Sequence, residues 1–382
     1  MRARIRFKYL FLIVAFFLML TTSFTRNSLY AVVAFSILAY VIVPFQLDWN
    51  KDVVLLLLFS IFYSLIKILN NDVGSLFNLI AYIISPVIFF RLGYMFMNLF
   101  WTDKARELFF LFIIVFFLSP IIYQTIEDIR IVGIVNPTRH LLNEIADSGM
   151  MSATLYGLMA SVGIGGISAL FVKCSKITIK LGYIIVSLLS VLIAVHLVNR
   201  SGLVILLVCM IVAYMLSVNR INLHRIPIAL AAILFMIIIT LNSGLISDDI
   251  ISAYQYRAEN SADSKSAGGR TELWYYSLSH LLTSPFGWES DFYSHNMLLD
   301  IARVSGLFAF IPFLSLTILY INRIIRLIKR KRRSAYIIIF VSMNLSMFLA
   351  AMVEPVIDAS ILFFSLLMMI WGCAFKLSKE IE

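Results

Sequence analysis

A histidine stands where a long polar stretch of the chain gives way to an apolar run. The segment FYSHNMLLDIARVSGLFAF covers residues 292–310, and His295 is followed by Asn296, Asp300 and Arg303. An imidazole exchanges its proton near neutral pH, so it can act as a general base toward a hydroxyl. The three residues after it recur at i, i+4 and i+7 and form a polar stripe on one helix face. The alternative interpretation is an interfacial anchor with a structural Asp300–Arg303 pair.

Arginines offer a second chemistry, the binding of phosphate oxygens. Arg200 lies in HLVNRSGLVI, Arg270 lies in SAGGRTELW, and Arg130 and Arg139 both lie in IRIVGIVNPTRH. A guanidinium grips phosphate oxygens through two parallel hydrogen bonds, so several arginines can hold a diphosphate without a metal ion. For each arginine taken alone, a salt bridge or a lipid phosphate contact is the alternative explanation.

Motifs of several other enzyme classes are absent from the sequence. It contains no GxxxxGK phosphate loop, no HExxH and no GxSxG. Acidic pairs occur at Asp248 and Asp249 and at Glu289 and Asp291. Such carboxylates could hold a divalent cation against a diphosphate, but solvated loop acids are much commoner. The three cysteines lack CxxC spacing, and the sequence predicts no metal and no cofactor.

Membrane-spanning helices must position these residues. Of the 382 residues, 61% are hydrophobic and 14% are charged, whereas about a quarter are charged in a soluble domain. Apolar runs long enough to cross a bilayer recur throughout. We therefore predict an all-α integral membrane protein with about twelve transmembrane helices in a single polytopic domain, residues 1–382. The predicted spans are 8–24, 29–45, 53–69, 76–98, 105–125, 151–172, 178–198, 201–218, 226–244, 296–321, 335–353 and 357–375.

The distribution of basic residues predicts the orientation, because lysine and arginine collect on the cytoplasmic side. With the N-terminus inside, the inner segments hold 21 lysines and arginines and the outer segments hold 7. We therefore predict that both termini are cytoplasmic. The formal net charge of +10 is then a topology signal that requires no nucleic-acid partner. The basic and apolar start resembles a secretory signal, but without a small-x-small cleavage site it is interpreted as an uncleaved first span.

Two segments on the predicted outer side are too long to be connectors. They are the periplasmic loops 126–150 and 245–295, and long loops in compact proteins are usually functional or disordered. In the second loop, TELWYYSLSHLL at 271–282 predicts a helix whose aromatic residues suit a membrane interface. We expect an ordered extracytoplasmic cap with short helices. The GIGG at 163–166, inside a span, indicates close helix packing.

Four short motifs together resemble one family. They are RIVGIVNPTRH at 130–140, NRSG at 199–202, GGRTELW at 268–274 and SHNMLLDIARVSGL at 294–307. With the topology, which covers nearly the whole chain, they are similar to the O-antigen polymerase and O-antigen ligase superfamily of bacterial envelope glycan assembly. Members commonly show a small-residue-rich Ser-Arg turn, and Asn199 before the arginine is a departure from that pattern. The resemblance implies a GT-C-like membrane glycosyltransferase fold with a large late periplasmic loop.

The resemblance also implies a reaction. It is an inverting, metal-independent transfer of a glycan from undecaprenyl diphosphate to a sugar hydroxyl, on the periplasmic side of the bacterial inner membrane. His295 would be the catalytic base, and Arg200 and Arg270 would bind the diphosphate and offset its developing charge. The further candidates for substrate binding are Arg130, Arg139 and Asn296. The expected partners are the undecaprenyl-diphosphate-linked oligosaccharide, the lipid bilayer and a chain-length regulator, with no nucleic acid.

Several functions stay open at this point. A polymerase joins lipid-linked repeat units, whereas a ligase moves the finished glycan to a lipid A core, and both need the same donor chemistry. We take polymerase as the first hypothesis because polymerases are the more sequence-diverse group and the motifs match loosely. A lipid-linked oligosaccharide flippase would need charged residues through the bilayer midplane. A peptidoglycan polymerase of the cell-division type would need a catalytic carboxylate in the large loop, Glu289 or Asp291.

Overall fold

The protein is built of α-helices. A computed structural model describes residues 2–22, 28–43, 50–70, 76–136, 140–141, 151–218, 252, 255, 270–288, 293–331, 334–357 and 359–380. Within these residues the helices are α1 (Arg2–Leu20), α2 (Ser28–Ile42), α3 (Lys51–Leu69), α4 (Leu76–Leu99), α5 (Asp103–Val132), α6 (Ala153–Ile164), α7 (Ile177–His196), α8 (Arg200–Ser217), α9 (Arg270–Thr283), α10 (Met297–Lys331), α11 (Ala335–Ala351) and α12 (Ile361–Lys379). A two-residue antiparallel ladder joins β1 (His140–Leu141) to β2 (Met151–Ser152).

Hydropathy identifies a multi-pass membrane protein. Among the described residues, seven helices are long and apolar enough to cross a membrane: α3, α4, α5, α7, α8, α10 and α12. Shorter apolar helices occur in α1, α2 and α11, and in α6 together with the 3₁₀ segment Gly165–Phe171 that continues it. These helices coincide with eleven of the predicted spans. The remaining predicted span, 226–244, lies outside the described residues, as does most of the loop 245–295 before α9.

Two helices extend beyond the ends that hydropathy predicts. Helix α5 continues past the predicted end at 125 to Val132, so the predicted loop 126–150 begins only at Gly133. Helix α10 continues past 321 into the basic run and ends at Lys331. Hydropathy reports which residues prefer lipid, whereas helix formation also tolerates polar residues. The predicted loop helix at 271–282 is confirmed as α9, with one more residue at each end.

Glycines allow close contacts between helices in the core. A Cβ on Gly93 of α4 would lie 1.9 Å from the carbonyl oxygen of Met369, and one on Gly372 of α12 would lie 1.9 Å from that of Phe90. Small residues allow such backbone contact between membrane helices. The predicted packing function of GIGG is confirmed, because a Cβ on Gly165 would lie 2.4 Å from the Cα of Met343 in α11.

Helix α10 is broken at Gly306, and a turn from the preceding segment fills the break. Gly306 has φ +59° and ψ −155°, and a Cβ there would lie 1.9 Å from the carbonyl oxygen of Pro285. The N–H of Leu307 donates to that oxygen at 2.9 Å, and the N–H of Trp288 donates to the carbonyl of Arg303 at 2.9 Å. The turn 284–288 therefore supplies the hydrogen bonds that the break removes from the helix.

Ion pairs fix the end of the helix bundle that lies away from His295. The Arg323 guanidinium of α10 binds both carboxylate oxygens of Asp52 at the start of α3. Arg106, at the start of α5, binds both oxygens of Glu380 at 2.7 and 2.9 Å. Planar guanidinium and carboxylate groups match in this two-bond geometry. These pairs connect α3 to α10 and the start of α5 to the end of α12.

Candidate functional site

The turn before α10 holds His295 in a backbone conformation that few residues adopt. Its φ is +51°, in the left-handed region that costs a non-glycine residue about 1 kcal/mol or more. The following residue, Asn296, caps the helix, since its side-chain oxygen accepts from the N–H groups of Leu298 at 3.1 Å and Leu299 at 3.3 Å. Backbone strain that the surrounding structure enforces is frequent at functional positions.

The polar stripe of α10 stabilises the same turn. Asp300 accepts from the N–H of Ser294 at 2.7 Å and from the N–H of Asn296 at 3.3 Å, one on each carboxylate oxygen. The Nε of Arg303 lies 3.8 Å from Asp300, and the guanidinium lies over the Tyr293 ring at 5.2 Å. The structural Asp300–Arg303 pair, left open by the sequence, is therefore present, and the stripe faces the chain's own turn.

A buried carboxylate joins the predicted base to a predicted phosphate ligand. Glu354, in the connection between α11 and α12, has a side chain only 5% exposed. Its Oε2 lies 3.6 Å from Nδ1 of His295, and its Oε1 accepts from Nη2 of Arg270 at 3.3 Å. The side chains of His295 and Arg270 are 30% and 27% exposed. Residues from three separate segments thus meet, with the carboxylate inside and both basic groups reaching the surface.

Two atoms at the centre of this cluster lack hydrogen bonds. Nδ1 of His295 and Oε2 of Glu354 are buried and form no hydrogen bond with any described residue. Their 3.6 Å separation exceeds a hydrogen-bond length. Buried polar atoms are nearly always satisfied, so such a pair needs an explanation. Hydrogen bonds in active sites are often long without substrate and shorten when it binds, which makes the cluster a candidate active site.

Helix α9 positions Arg270 in the cluster. Arg270 is its first residue, and the helix is attached to the turn before α10 through Ser294. The indole N–H of Trp274 donates to the Ser294 carbonyl at 2.8 Å, and the hydroxyls of Ser277 and Ser294 lie 2.6 Å apart. A guanidinium has five N–H donors in a fixed fork. The hydrogen bond to Glu354 orients that fork, and other donors can contact an anion.

Arg200 begins α8 directly after a tight turn. Asn199 caps the helix, because its side-chain oxygen accepts from the N–H of Gly202 at 3.1 Å and the hydroxyl of Ser201 at 2.6 Å. Val198, just before it, has φ +50°. The departure from the family pattern at Asn199 therefore has a local physical reason, since asparagine is among the best residues for a helix N-cap.

Helix α6 shows which end of the bundle carries Arg200. The Ser161 carbonyl accepts from the Ser346 hydroxyl of α11 at 2.7 Å. Gly157 precedes Ser161 by four residues on α6, in the direction of the His295 end. It lies directly against the side chain of Asn199. Four residues are about one helical turn, so Asn199 is level with the last turn of α11. The loop that carries the buried carboxylate follows that turn, and Arg200 lies at the same end as the His295 cluster.

A buried aspartate–histidine pair supports the turn before Arg200. Nε2 of His196 lies 2.8 Å from Asp128 Oδ2, and its Nδ1 lies 2.8 Å from the Ile134 carbonyl. A carbonyl oxygen only accepts, so Nδ1 carries a proton, and a second proton must lie between Nε2 and the carboxylate. Asn136 donates its side-chain N–H to the same oxygen at 2.7 Å and its backbone N–H to the His196 carbonyl at 2.8 Å. This network ties the end of α5 to the Arg200 turn.

The other predicted site residues have different surroundings. Arg130 is 70% exposed and pairs with Glu127 one turn earlier on α5 at 2.7 Å. The side-chain amide of Asn296 donates to the carbonyl of Met352 at 3.2 Å, so it connects the turn before α10 to the loop after α11. Outside the described residues lie Arg139, Asp248, Asp249, Glu289 and Asp291.

Sequence reasoning missed Glu354 and the Asp128–His196 pair. Glu354 follows an apolar run in the sequence MVEPV, and His196 stands four residues before the arginine in HLVNRSG. Ionisable residues at the ends of spans are costly and tend to be functional. That signal was available for both residues, but only the fold could indicate their partners.

Comparison with known proteins does not assign a family. No protein-family model matches the chain, and no curated protein matches it either. The likeness to glycan polymerases and ligases is therefore carried by the four short motifs. The contact of Glu354 with His295 and Arg270 adds an observation that the motifs do not contain, because Glu354 belongs to none of them.

Proposed function

We propose that the protein is an O-antigen polymerase of the bacterial inner membrane. It would transfer a glycan from undecaprenyl diphosphate to a sugar hydroxyl of a lipid-linked repeat unit. The observation that carries this proposal is the convergence of His295 and Arg270 on Glu354. Inverting transfer from a diphosphate needs a base for the acceptor and cations for the leaving group, and this cluster contains both.

The proposal includes an architecture and an orientation. The fold would be GT-C-like with about twelve spans, both termini would be cytoplasmic, and the His295 end would be periplasmic. The basic run that ends α10 supports this orientation, because it lies at the opposite end from His295 and lysine and arginine favour the cytoplasmic side.

In the proposed reaction, His295 removes the proton from the acceptor hydroxyl. The hydroxyl oxygen attacks the anomeric carbon of the donor while the bond from that carbon to the diphosphate oxygen breaks. The electron pair leaves with the diphosphate, and attack from the opposite face inverts the configuration. Glu354 faces Nδ1 at 3.6 Å, so Nε2 is the nitrogen that receives the proton. The carboxylate holds the ring in that orientation and stabilises the imidazolium.

Arginines would take the place of a metal ion at the leaving group. Arg270 is oriented by its hydrogen bond to Glu354, and Arg200 lies at the same end of the bundle. Donors oriented before the reaction stabilise charge as it develops, because they need no reorganisation. Lysine could not replace either arginine fully, since its single ammonium lacks the two-bond geometry that suits a diphosphate.

Single substitutions of three residues test the proposal. His295→Gln, Arg200→Lys and Arg270→Lys are expressed in cells that depend on the protein for surface glycan, and the glycan is separated by size. For a polymerase, inactive variants leave the core with a single repeat unit. For a ligase, they leave bare core and accumulated lipid-linked polymer. A normal ladder in all three would show that the site is wrong. His280→Gln, which changes another histidine of the same region, is the matched control.

A ligase remains the alternative because it uses the same donor and the same residues. A flippase is the less favoured alternative. Among the described residues, the buried charged side chains lie at or near helix ends: Asp52, Lys67, Arg106, Glu107, Asp128, Asp300 and Glu354. A path for a charged lipid-linked sugar would need such groups through the bilayer midplane, so this distribution favours chemistry at one end of the bundle.

A further inference from the structure

Helix α9 carries an apolar strip that no described residue covers. Tyr275, Leu278 and Leu282 are 76%, 56% and 79% exposed. At 3.6 residues per turn, the three side chains project within about 60° of one another around the helix axis. They lie beside the attached face of the helix, where Trp274 and Ser277 bind the turn before α10. The strip is therefore a continuous apolar surface on a helix that is otherwise firmly held.

A polar strip runs next to the apolar one. Glu272, Ser279 and Thr283 are exposed and project together within about 40° of one another. Helix α9 thus has three faces: one is attached to protein, one is apolar and exposed, and one is exposed and mainly polar, with the 42% exposed Tyr276 at its edge. An exposed helix with separate apolar and polar strips is typical of helices that lie at a membrane surface.

The apolar strip continues into the surface of a membrane-spanning helix. Phe286, in the turn that follows α9, stacks on Phe308 of α10 with ring centroids 5.1 Å apart. Both rings are partly exposed, and Ile311 and Ile318 are exposed further along α10. Helix α10 is long and apolar enough to cross a bilayer, so its exposed apolar side chains face lipid. Phe286 follows Leu282 by four residues, so the strip of α9 ends close to these stacked rings.

We propose that Tyr275, Leu278 and Leu282 lie in the lipid of the bilayer leaflet at the His295 end. The polar strip would face water, and the stacked rings would lie deepest. Proximity to α10 selects bilayer lipid as the occupant, since Leu282, the last residue of the strip, lies only four residues before Phe286, whose ring stacks on Phe308. This inference does not depend on any glycan reaction. Because Arg270 begins α9, the seated helix holds the Glu354 cluster next to the lipid headgroups.

Site-directed fluorescence tests the proposal on the full chain. Single cysteines replace Leu278, Leu282, Ser279 and Thr283, one at a time, in a variant whose native cysteines are alanine. Each is labelled with an environment-sensitive fluorophore and reconstituted in phosphatidylcholine–phosphatidylglycerol vesicles. Only variants that elute as monodisperse protein are measured. Doxyl-labelled lipid quenches fluorophores in the bilayer, and iodide quenches those in water. Ser279 and Thr283 are matched controls on the polar strip of the same helix.

We expect doxyl lipid to quench the labels at Leu278 and Leu282 at least threefold more strongly than those at Ser279 and Thr283, with iodide showing the reverse order. Equal iodide quenching at all four positions would place the strip in water and overturn the proposal. Protection of Leu278 and Leu282 from both quenchers would overturn it as well. The strip would then be covered by protein. If dilution of the protein in the vesicles restores doxyl quenching, the covering protein is a second copy. If it does not, the strip is covered by the same chain.

A tryptophan variant, which carries no attached fluorophore, tests the proposal if a labelled protein misfolds. Leu282→Trp adds an indole at the C-terminal end of the strip, and brominated lipids quench indole fluorescence only at short range. The measured quantity is the additional quenching relative to the parent protein in the same vesicles. An increase supports the proposal, whereas no increase contradicts it. Thr283→Trp serves as the control, for which no additional quenching is expected.

Discussion

Replacing Glu354 by glutamine tests the candidate site most directly. Glutamine keeps the size of the side chain and its hydrogen bond from Arg270, but removes the negative charge that faces His295. In the proposed reaction the imidazole becomes positive as it takes the hydroxyl proton, so the transition state loses more than the ground state does. In that reaction Glu354 would act through His295, as a positioning residue. The substitution should therefore lower kcat more than it raises KM.

The structure gives the size of the effect. At 3.6 Å and an effective dielectric constant of about 20, two unit charges attract by about 4–5 kcal/mol. The imidazole is 30% exposed, and solvent screening reduces this value to about 2–3 kcal/mol. Each 1.36 kcal/mol is a factor of ten in rate. Glu354→Gln should therefore lower kcat roughly 30- to 150-fold.

The assay is transfer by purified protein in lipid nanodiscs, with an undecaprenyl-diphosphate-linked oligosaccharide as substrate. Glu272→Gln is the matched control, because it makes the same chemical change at an exposed position on the helix that carries Arg270, and its rate should stay within twofold. Glu354→Asp keeps the charge but withdraws it by one methylene, so it should recover part of the lost rate. If Glu354→Gln is folded and keeps kcat within threefold of the parent protein, the carboxylate does not position the base and the reasoning is wrong.

Three further predictions concern stability and reactivity. Asp128→Asn removes the carboxylate that both His196 and Asn136 contact and should lower the free energy of unfolding by about 3 kcal/mol; a loss below about 1 kcal/mol in thermal denaturation would contradict a stabilising function of this network. Gly165→Ala places a Cβ 2.4 Å from the backbone of α11 and should cost about 3 kcal/mol or more. Gly133→Ala has no atom within 4 Å of its Cβ, but φ +90° and ψ −175° belong to a backbone region that is nearly restricted to glycine, so it should cost about 1–3 kcal/mol through strain alone. Burial raises the pKa of the Cys174 thiol to about 11. Its alkylation at pH 8 should therefore be roughly 200-fold slower than that of a free cysteine, and the rate should increase about tenfold per pH unit up to about pH 11. A rate that levels off near pH 9 would show an ordinary thiol.

Local physical rules predicted the elements well. The spans follow from hydropathy, and the helix at 271–282 from its composition and position. The structural Asp300–Arg303 pair follows from helical spacing alone, because both residues lie on one face of α10. Helix α5 continues seven residues beyond the predicted end of the span, because polar residues can continue a helix after its apolar run has ended. Asp128 is buried in that stretch through contacts that the local pattern does not contain.

Long-range partners could not be predicted in this way. Glu354 approaches His295 and Arg270 only because α11 and α12 return the chain to the same end of the bundle. Gly306 appears in the sequence as one small residue in an apolar run, and nothing nearby indicates that Pro285 fills the break. Proximity of this kind depends on how helices are arranged in space, which periodicity along one helix does not determine.

The break in α10 at Gly306, and the turn 284–288 that fills it, affect the order in which the newly synthesised chain folds. The partners of the broken helix, Pro285 and Trp288, precede Gly306 in the chain, so they emerge from the ribosome ahead of the break. Helix α10 can therefore complete its hydrogen bonds as soon as it enters the membrane. The carboxylate of Glu354 arrives later, with the last helical hairpin, α11 and α12. A chain stopped after α10 would contain a finished helix and a positioned His295, but no partner for its imidazole.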